Sequence, residues 1–216
     1  YTGTATTGDA HTLAQLVAIN NATTGTITLN DYTVALSGTS SDVSAALAGT
    51  FAAAYTGTAT TTDAHTLAQL VAINNGTTGE ITLNDYTVAL SGSASDVSAA
   101  LAGTFAANYT GAVTIADAPS VAQLVAINAG TTGAITLTTA NGALSGTAAN
   151  LVLAFAGTVT EHTGTVTITD AHTLAQLKAI NNATTGAITL NDYTVALSGT
   201  SSDVAAALAG TFAAAY

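Results

Sequence analysis

Residues 165–190 read TVTITDAHTLAQLKAINNATTGAITL, and the hydrophobic period changes twice within this stretch. Thr165–Thr169 carry β-branched residues in strict alternation, which predicts a strand. Apolar residues at helical spacing over 174–180 predict a helix, with Asp170 at the place expected of its N-cap. Alternation returns over 187–190, so the stretch predicts a strand, a helix and a second strand.

The residues that follow add a third strand and a short second helix. Asn191-Asp192 is a turn signal, and Tyr193–Leu197 alternate again as a strand that Ser198-Gly199 is expected to break. Asp203 is expected to cap a short helix that ends at Gly210, in the position where helices favour glycine. The predicted pattern is therefore β-α-β-β-α.

This pattern occurs four times along the 216 residues, and the copies begin 54, 54, 53 and 54 residues apart. The first two copies are identical at 48 of 54 positions. Repeat 3 is the divergent copy, with TTANG over 138–142 where the others read NDYTV, and it is one residue shorter near 159–161. The repeats are 1–54 (repeat 1), 55–108 (repeat 2), 109–161 (repeat 3) and 162–215 (repeat 4), and Tyr216 stands at the first position of a further repeat.

The connections between repeats indicate how they pack. The chain has one proline, and no flexible or charged spacer separates the repeats, as a string of independent domains would require. A repeat of this length is also marginal as an independent domain, because it buries too little surface. We therefore predict an α/β solenoid of four stacked repeats, with a row of tightly packed small α+β domains as the alternative.

Composition excludes several classes of function. The chain has one Lys or Arg against twelve Asp or Glu, for a net charge of −11, so it lacks the basic surface that nucleic-acid binding requires. Polar residues interrupt every apolar run well short of a membrane span, and we expect no membrane insertion. With no cysteine, neither a disulfide framework nor thiolate chemistry is available.

The aspartates recur in three columns, which raises calcium binding as a possibility because Ca²⁺ takes six to eight oxygen ligands. Two columns precede helical patterns, where aspartate is expected to cap free N–H groups, and the third lies in a turn. We therefore expect no metal site, with Ca²⁺ kept as the alternative. The columns are Asp9, Asp63, Asp117 and Asp170; Asp42, Asp96 and Asp203; and Asp31, Asp85 and Asp192.

Histidines form a fourth column, His11, His65 and His172, which could in principle build a metal ladder. Repeat 3 carries Pro119 at this position, which favours a role set by backbone geometry over a ligand role. His162 stands where the other repeats begin with tyrosine, as a ring-for-ring replacement. No nucleophile motif or singular His-Asp pair occurs, so we expect no enzyme, no catalytic residues and no cofactor.

Two further patterns suggest surface roles. Asn-x-Thr sequons at Asn21, Asn75, Asn108 and Asn182 are candidate glycosylation sites, although asparagine is also favoured at helix ends. Alternating threonines could order water, as in ice-binding proteins. Thr4, Thr6 and Thr28, however, are expected to point to faces that carry paired apolar partners in the other repeats, and the threonine columns are short.

The segment 163–186, reading TGTVTITDAHTLAQLKAINNATTG, resembles the Thr/Ala/Gly-rich tandem repeats of very large secreted or cell-surface bacterial proteins. Such repeats occur in cyanobacterial surface proteins and in adhesins exported by type I secretion. The resemblance implies a structural, extracellular role, whereas the Gly/Asp nonapeptides of the calcium-binding members are missing here.

These observations lead to two functional hypotheses. The first is an extracellular structural protein, a filament, stalk or surface-layer element, whose partners are neighbouring repeats or further copies joined head to tail. The second is the repeat region of an adhesin that binds glycan or a partner surface, with Ca²⁺ as a stabilising ion in one version of this hypothesis. That role needs exposed aromatics, for which only the columns of Tyr1, Tyr55 and Tyr109 and of Tyr32, Tyr86 and Tyr193 are available.

Overall fold

The protein is a mixed α/β chain, described here over residues 1–216 by a computed structural model. Each repeat contains a longer first helix and a shorter second one. The longer helices begin with a capping box: in α1, the Thr12 hydroxyl accepts from the Gln15 amide while the Thr12 amide donates to the Gln15 side chain. The helices are α1 Leu13–Ala22, α2 Ser40–Leu47, α3 Leu67–Gly76, α4 Ala94–Leu101, α5 Val121–Gly130, α6 Ala148–Ala154, α7 Leu174–Ala183 and α8 Ser201–Ala207.

The strands are two or three residues long and form four small parallel sheets. Inward residues are mostly aliphatic, with the buried Thr61 of β4 as an exception, and outward residues are mostly threonine or serine, as the alternation predicts. The strands are β1 Ala5–Thr6, β2 Ile27–Thr28, β3 Leu36–Gly38, β4 Ala59–Thr61, β5 Ile81–Thr82, β6 Leu90–Gly92, β7 Val113–Ile115, β8 Ile135–Leu137, β9 Leu144–Gly146, β10 Val166–Ile168 and β11 Ile188–Leu190.

The chain divides into two compact units, and the first comprises residues 1–90 with 99–111. In this unit β1 pairs with β2, and a second sheet has the order β3-β4-β5. Strand β3 belongs to repeat 1, whereas β4 and β5 belong to repeat 2, so this sheet joins two repeats. Helix α2 likewise packs against both α1 and α3.

The second compact unit comprises residues 91–98 with 112–216. In it β7 pairs with β8, and another sheet has the order β11-β10-β9. Strand β9 of repeat 3 pairs with β10 of repeat 4 in the same parallel register that joins β3 to β4. Helix α6 packs against both α5 and α7, and α7 also packs against α8.

The core is made almost entirely of aliphatic side chains, which explains how the chain folds with only 5% aromatic residues. In repeat 1, Leu16 of α1, Ile27 of β2 and Val43 of α2 are completely buried, so helices and sheet contribute to one interior. Equivalent residues are buried in repeats 2 and 3.

The third predicted strand needs a correction. In repeats 1 to 3 it begins at the leucine and includes the Ser-Gly pair that was expected to end it, as in β3, Leu36–Gly38. In repeat 4 the predicted strand Tyr193–Leu197 does not form. The reason is that β3 owes its hydrogen bonds to β4 of the next repeat, while Leu197 has no partner strand in this chain.

In repeats 1, 2 and 4 the glycine after the second helix has a different role from the predicted one, whereas Gly157 of repeat 3 has a left-handed φ of 73°. Gly210 was expected to end α8 as glycine does in a left-handed cap, but its φ is not positive. A Cβ at Gly210 would instead collide with the side-chain oxygen of Asn181, whose amide nitrogen donates to the Ala206 carbonyl at 2.8 Å. The Asn181 side chain of the first helix therefore binds a free carbonyl group near the end of the second helix. It occupies the space that a side chain at position 210 would fill.

None of the eight helices combines the length and the apolar character that crossing a bilayer requires.

The close approach of neighbouring backbones generates the first testable prediction. A Cβ at Gly79 would collide with the carbonyl group of Gly57, whereas a Cβ at Gly8 would meet nothing within 4 Å. We expect Gly79→Ala to lower the free energy of unfolding by about 1–3 kcal/mol, the usual cost of overpacking. Gly8→Ala is the matched control and should leave stability nearly unchanged. Equal effects in urea unfolding would contradict this packing.

Candidate functional site at the junctions between repeats

The junction between consecutive repeats concentrates most of the distinctive polar side chains. Its backbone part is a short parallel ladder: between repeats 1 and 2, the Leu36 amide donates to the Thr58 carbonyl and the Thr62 amide to the Gly38 carbonyl, both at 2.9 Å. Between repeats 3 and 4, equivalent bonds join Leu144 to Thr165 and Thr169 to Gly146 at 2.9 and 3.0 Å. The third strands of repeats 1 and 3 are therefore completed by the repeats that follow them.

Three of the four aspartates in the first column cap helices across the junctions, which corrects the prediction that they cap their own. The helix that follows Asp63 is capped by Thr66, while Asp63 Oδ1 accepts from the Ser40 amide at 2.6 Å. Ser40 is the first residue of α2, so the carboxylate of one repeat caps the second helix of the repeat before it. The corresponding pairs are Asp117 with the Ala94 amide and Asp170 with the Ala148 amide, both at 2.7 Å.

The hydrogen bonds from Ser40 also explain the electrostatics of Asp63. They hold the pKa of the Asp63 carboxyl below its ordinary value, while a small desolvation effect opposes them. The charged carboxylate is the form that the N-terminus of α2 stabilises.

The second aspartate column is also not the cap that it was predicted to be. The N-cap of α8 is Thr200, whose hydroxyl accepts from the Asp203 amide at 3.1 Å and donates to Asp203 Oδ2 at 2.7 Å. Asp203 thus lies in the first turn, where a negative charge still favours the helix. In repeat 1, Thr39 and Asp42 have the same arrangement.

The third aspartate column lies in turns, as predicted. Asp31 Oδ1 accepts from both the amide and the hydroxyl of Thr33 at 2.7 Å, which is an Asx-turn. These bonds lower the pKa of Asp31. Asp85 and Asp192 bind Thr87 and Thr194 in the same way.

The histidine column pairs with the tyrosine that begins the next repeat. His11 Nε2 lies 3.1 Å from the Tyr55 hydroxyl, and that hydroxyl donates to the Val34 carbonyl at 2.6 Å. Both side chains are buried, and their rings meet edge to face with centroids 5.9 Å apart. The same contact joins His65 to Tyr109 and His172 to Tyr216 at 3.1 Å.

Burial is the main cause of the shifted pKa values in these pairs. It lowers the pKa of His11 against the opposing effect of the Asp31 carboxylate, so the neutral imidazole is favoured. Burial, together with Asp31, raises the pKa of Tyr55 to about 12. His11 Nδ1 is buried without a hydrogen-bond partner, which makes a charged ring still more costly there.

One junction replaces both members of the pair. Repeat 3 carries Pro119 in place of histidine, and the next repeat begins with His162 in place of tyrosine. His162 Nε2 lies 2.7 Å from the Gly142 carbonyl, which occupies the position of the Val34 carbonyl in repeat 1. The ring-for-ring replacement predicted for His162 is therefore observed, and it is coupled to the loss of the histidine that tyrosine would have met.

Lys178, the sole cation among the side chains, takes part in the contact between the two helices of repeat 4. Its Nζ lies 2.6 Å from Asp203 Oδ1, and both side chains are more than a third exposed. A pair with this exposure contributes little to stability, usually below about 1 kcal/mol.

The other candidate residues lie as follows. Tyr55 and Tyr109 are 2% exposed and are not available for stacking on a sugar, and Tyr32 is half-buried. The sequon threonine Thr77 is buried and donates to the Gly57 carbonyl. No group of three or more His, Asp or Glu side chains is arranged to hold a metal ion.

The outward threonines differ from the expectation that they face apolar partners. Thr6 is in register with Thr28, and an equivalent pair recurs in every repeat. Such cross-strand pairs stabilise short strands by contact between side chains. The other pairs are Thr60 with Thr82, Thr114 with Thr136 and Thr167 with Thr189.

Comparison with known proteins adds no further assignment: no protein-family model and no curated protein matches the sequence, and no solved structure matches the chain.

The cap that crosses the junction generates the second prediction. Asp63→Ala should lower the free energy of unfolding by about 1 kcal/mol, the usual value of a helix cap. Asp9→Ala is the matched control: Asp9 is in the same column but is exposed and forms no hydrogen bond, so its removal should have little effect. Urea unfolding of both variants checks this, and a loss of similar size in Asp9→Ala would contradict capping across the junction.

The buried histidines generate a prediction about pH. Because their pKa values are lowered in the folded chain, the unfolded chain binds protons that the folded one does not, once the pH falls below about 6.5. Stability should therefore be constant above that value and decrease between about pH 6.5 and pH 5. Asp31 and Asp63, whose pKa values are also lowered, add their own loss only nearer pH 4 and below.

Thermal unfolding as a function of pH measures this effect. A variant with His11, His65 and His172 all changed to glutamine should lose most of the pH dependence in this window, with His162 as the remaining source. A melting temperature of the unmodified chain that stays constant down to about pH 5 would show that the imidazoles are protonated without cost.

Proposed function

We propose that this chain is an extracellular structural repeat protein, in which the four repeats stack into one solenoid that serves as a filament, stalk or surface-layer element. One observation carries the proposal: the recurring histidines, tyrosines and aspartates are engaged in joining one repeat to the next or in capping and turns. An enzyme or a receptor would instead reserve a cluster of polar groups for its ligand. The proposal assigns the chain no catalytic reaction and no cofactor.

The pattern of shared elements supports the solenoid. Within each compact unit, a strand of one repeat extends the sheet of the next, and successive helices pack side by side. A solenoid is defined by repeats that contact only their neighbours and share a core with them. The alternative, a row of separate small domains, does not require one repeat to cap the helix of another.

Composition and resemblance support the location. A chain without cysteine or methionine lacks the side chains that oxidise most readily, which suits life outside the cell. The resemblance of the repeats to those of secreted bacterial surface proteins points the same way. Immunolabelling of intact cells of the source organism, compared with broken cells, tests the location directly.

Small-angle scattering tests the solenoid itself. We expect the chain to behave as one body with fixed distances between repeats, and its scattering to be unchanged when a calcium chelator is added. Electron microscopy of the purified protein should show particles of uniform width. Variable distances between repeats would refute stacking, and a chelator-dependent change would favour the calcium-stabilised adhesin.

A further inference from the structure

Repeat 3 differs from the other repeats in the turn between β8 and β9. In repeat 1 the same turn is held by two side chains, because Asp31 closes an Asx-turn and the Tyr32 hydroxyl accepts from a backbone amide at 3.0 Å. Repeat 3 has TTANG over residues 138–142 instead. Within these five residues, the one side-chain hydrogen bond runs from the Thr138 hydroxyl to a carbonyl of β7, so the rest of the turn is held by its backbone alone.

This turn brings together an exposed asparagine and a weakly bound glycine amide. Asn141 is exposed, and its side chain forms no hydrogen bond. The Gly142 amide donates to the Thr139 carbonyl at 3.4 Å, which is longer than a usual N–H···O bond. Glycine also has no Cβ that could shield its nitrogen from the preceding side chain. The side-chain amide of Asn141 and the nitrogen of Gly142 are therefore free to approach each other.

We infer that Asn141 is a site of spontaneous modification, at which the side-chain amide is lost as ammonia. The Gly142 nitrogen attacks Asn141 Cγ, so that an N–Cγ bond forms and the Cγ–Nδ2 bond breaks. The proton of the Gly142 amide leaves with Nδ2 as ammonia, and a five-membered succinimide remains.

Water then opens this ring at one of its two carbonyl groups. Cleavage of the new N–Cγ bond leaves aspartate at position 141. Cleavage of the original peptide bond leaves isoaspartate, in which the main chain runs through Cβ and Cγ. Either product adds a carboxylate to the chain, and isoaspartate also lengthens the backbone by one methylene group.

A second Asn-Gly pair, Asn75-Gly76, is protected by the fold. It forms the last two residues of α3, where the Gly76 amide belongs to the helical hydrogen-bond ladder. Helical ψ, at about −42°, also directs that nitrogen away from the preceding Cγ. A Cβ at Gly76 would collide with the backbone of Leu47, so repeat 1 leaves this segment little room to leave the helix. The dipeptide alone gives both pairs the same reactivity, and the structure selects Asn141.

The modification acts on the junction between repeats 3 and 4. The Gly142 carbonyl accepts from His162 Nε2 at 2.7 Å, which holds the first side chain of repeat 4 in place. The Ala140 carbonyl accepts from the amides of residues 163 and 164 at 2.9 and 3.2 Å. Isoaspartate at position 141 would insert its extra methylene between these two carbonyl groups, and both could not keep their bonds to repeat 4. This junction should therefore loosen as the protein ages.

Peptide mapping tests the site, with the unfolded chain as the reference. The folded chain and a sample unfolded in guanidinium are incubated side by side at mildly alkaline pH, where the attacking nitrogen loses its proton more readily. Chymotrypsin separates the two pairs by cutting after Tyr109, whereas trypsin has only one site in the chain. Mass spectrometry should find the acid at position 141 in both samples, but at position 75 in the unfolded sample alone.

Two variants with residues taken from the other repeats serve as controls. Gly142→Val keeps Asn141 but places a branched side chain beside the attacking nitrogen, and valine stands at this position in repeats 1, 2 and 4. Asn141→Thr removes the reactive amide and likewise introduces the residue of those three repeats. After equal incubation, the unmodified chain should melt at a lower temperature than before, while Asn141→Thr should keep its melting temperature and Gly142→Val should retain its Asn141 amide.

The site is refuted if Asn141 of the folded chain stays an amide over the time that converts both pairs in the unfolded chain. It is also refuted if Asn75 reacts as fast as Asn141 in the folded chain, since the fold would then make no selection. Conversion at position 141 without any change in melting temperature would overturn the effect on the junction.

Discussion

No repeat of this protein satisfies its own backbone, and this constraint underlies the rest of the structure. Strands of two or three residues are too short to persist as isolated pairs, and the β3 ladder exists because the next repeat supplies its partner. The free amide of Ser40 at the start of α2 is met by a carboxylate from the following repeat. Neighbouring repeats therefore form a cooperative system, in which the stability of each depends on the interface with the next.

The sequence predicts the elements well and their partners poorly. Period changes identify the helices and the first two strands of each repeat, because hydrophobic periodicity is a local property. The role of Asp63 could not be obtained in this way. It precedes a helical pattern and is therefore assigned to that helix, but Thr66 already caps that helix and Asp63 bonds to a residue 23 positions earlier. Which helix a capping residue serves depends on the stacking.

Gly210 and the third strand have the same explanation, because each depends on a neighbouring element. Gly210 follows a helix and matches the sequence pattern of a left-handed cap, yet it is required by the approach of Asn181 from another helix. Leu36-Ser37-Gly38 has poor strand composition and is nevertheless a strand, since the neighbouring repeat provides the hydrogen bonds. The sequence does contain one signal of a contact across a junction: Pro119 and His162 depart from the pattern together, 43 residues apart, as two residues in contact would.

The placement of the carboxylates explains how a chain with one cation tolerates a net charge of −11. Ten of the twelve acidic residues are the aspartates of the three columns. Apart from Asp9, these aspartates lie where backbone amides or hydroxyls compensate them, at helix starts or in Asx-turns. Because each added repeat finds this compensation within itself and in the repeat before it, a further repeat adds charge without requiring a cation. The same chemistry that joins two repeats can therefore be extended along an array of repeats.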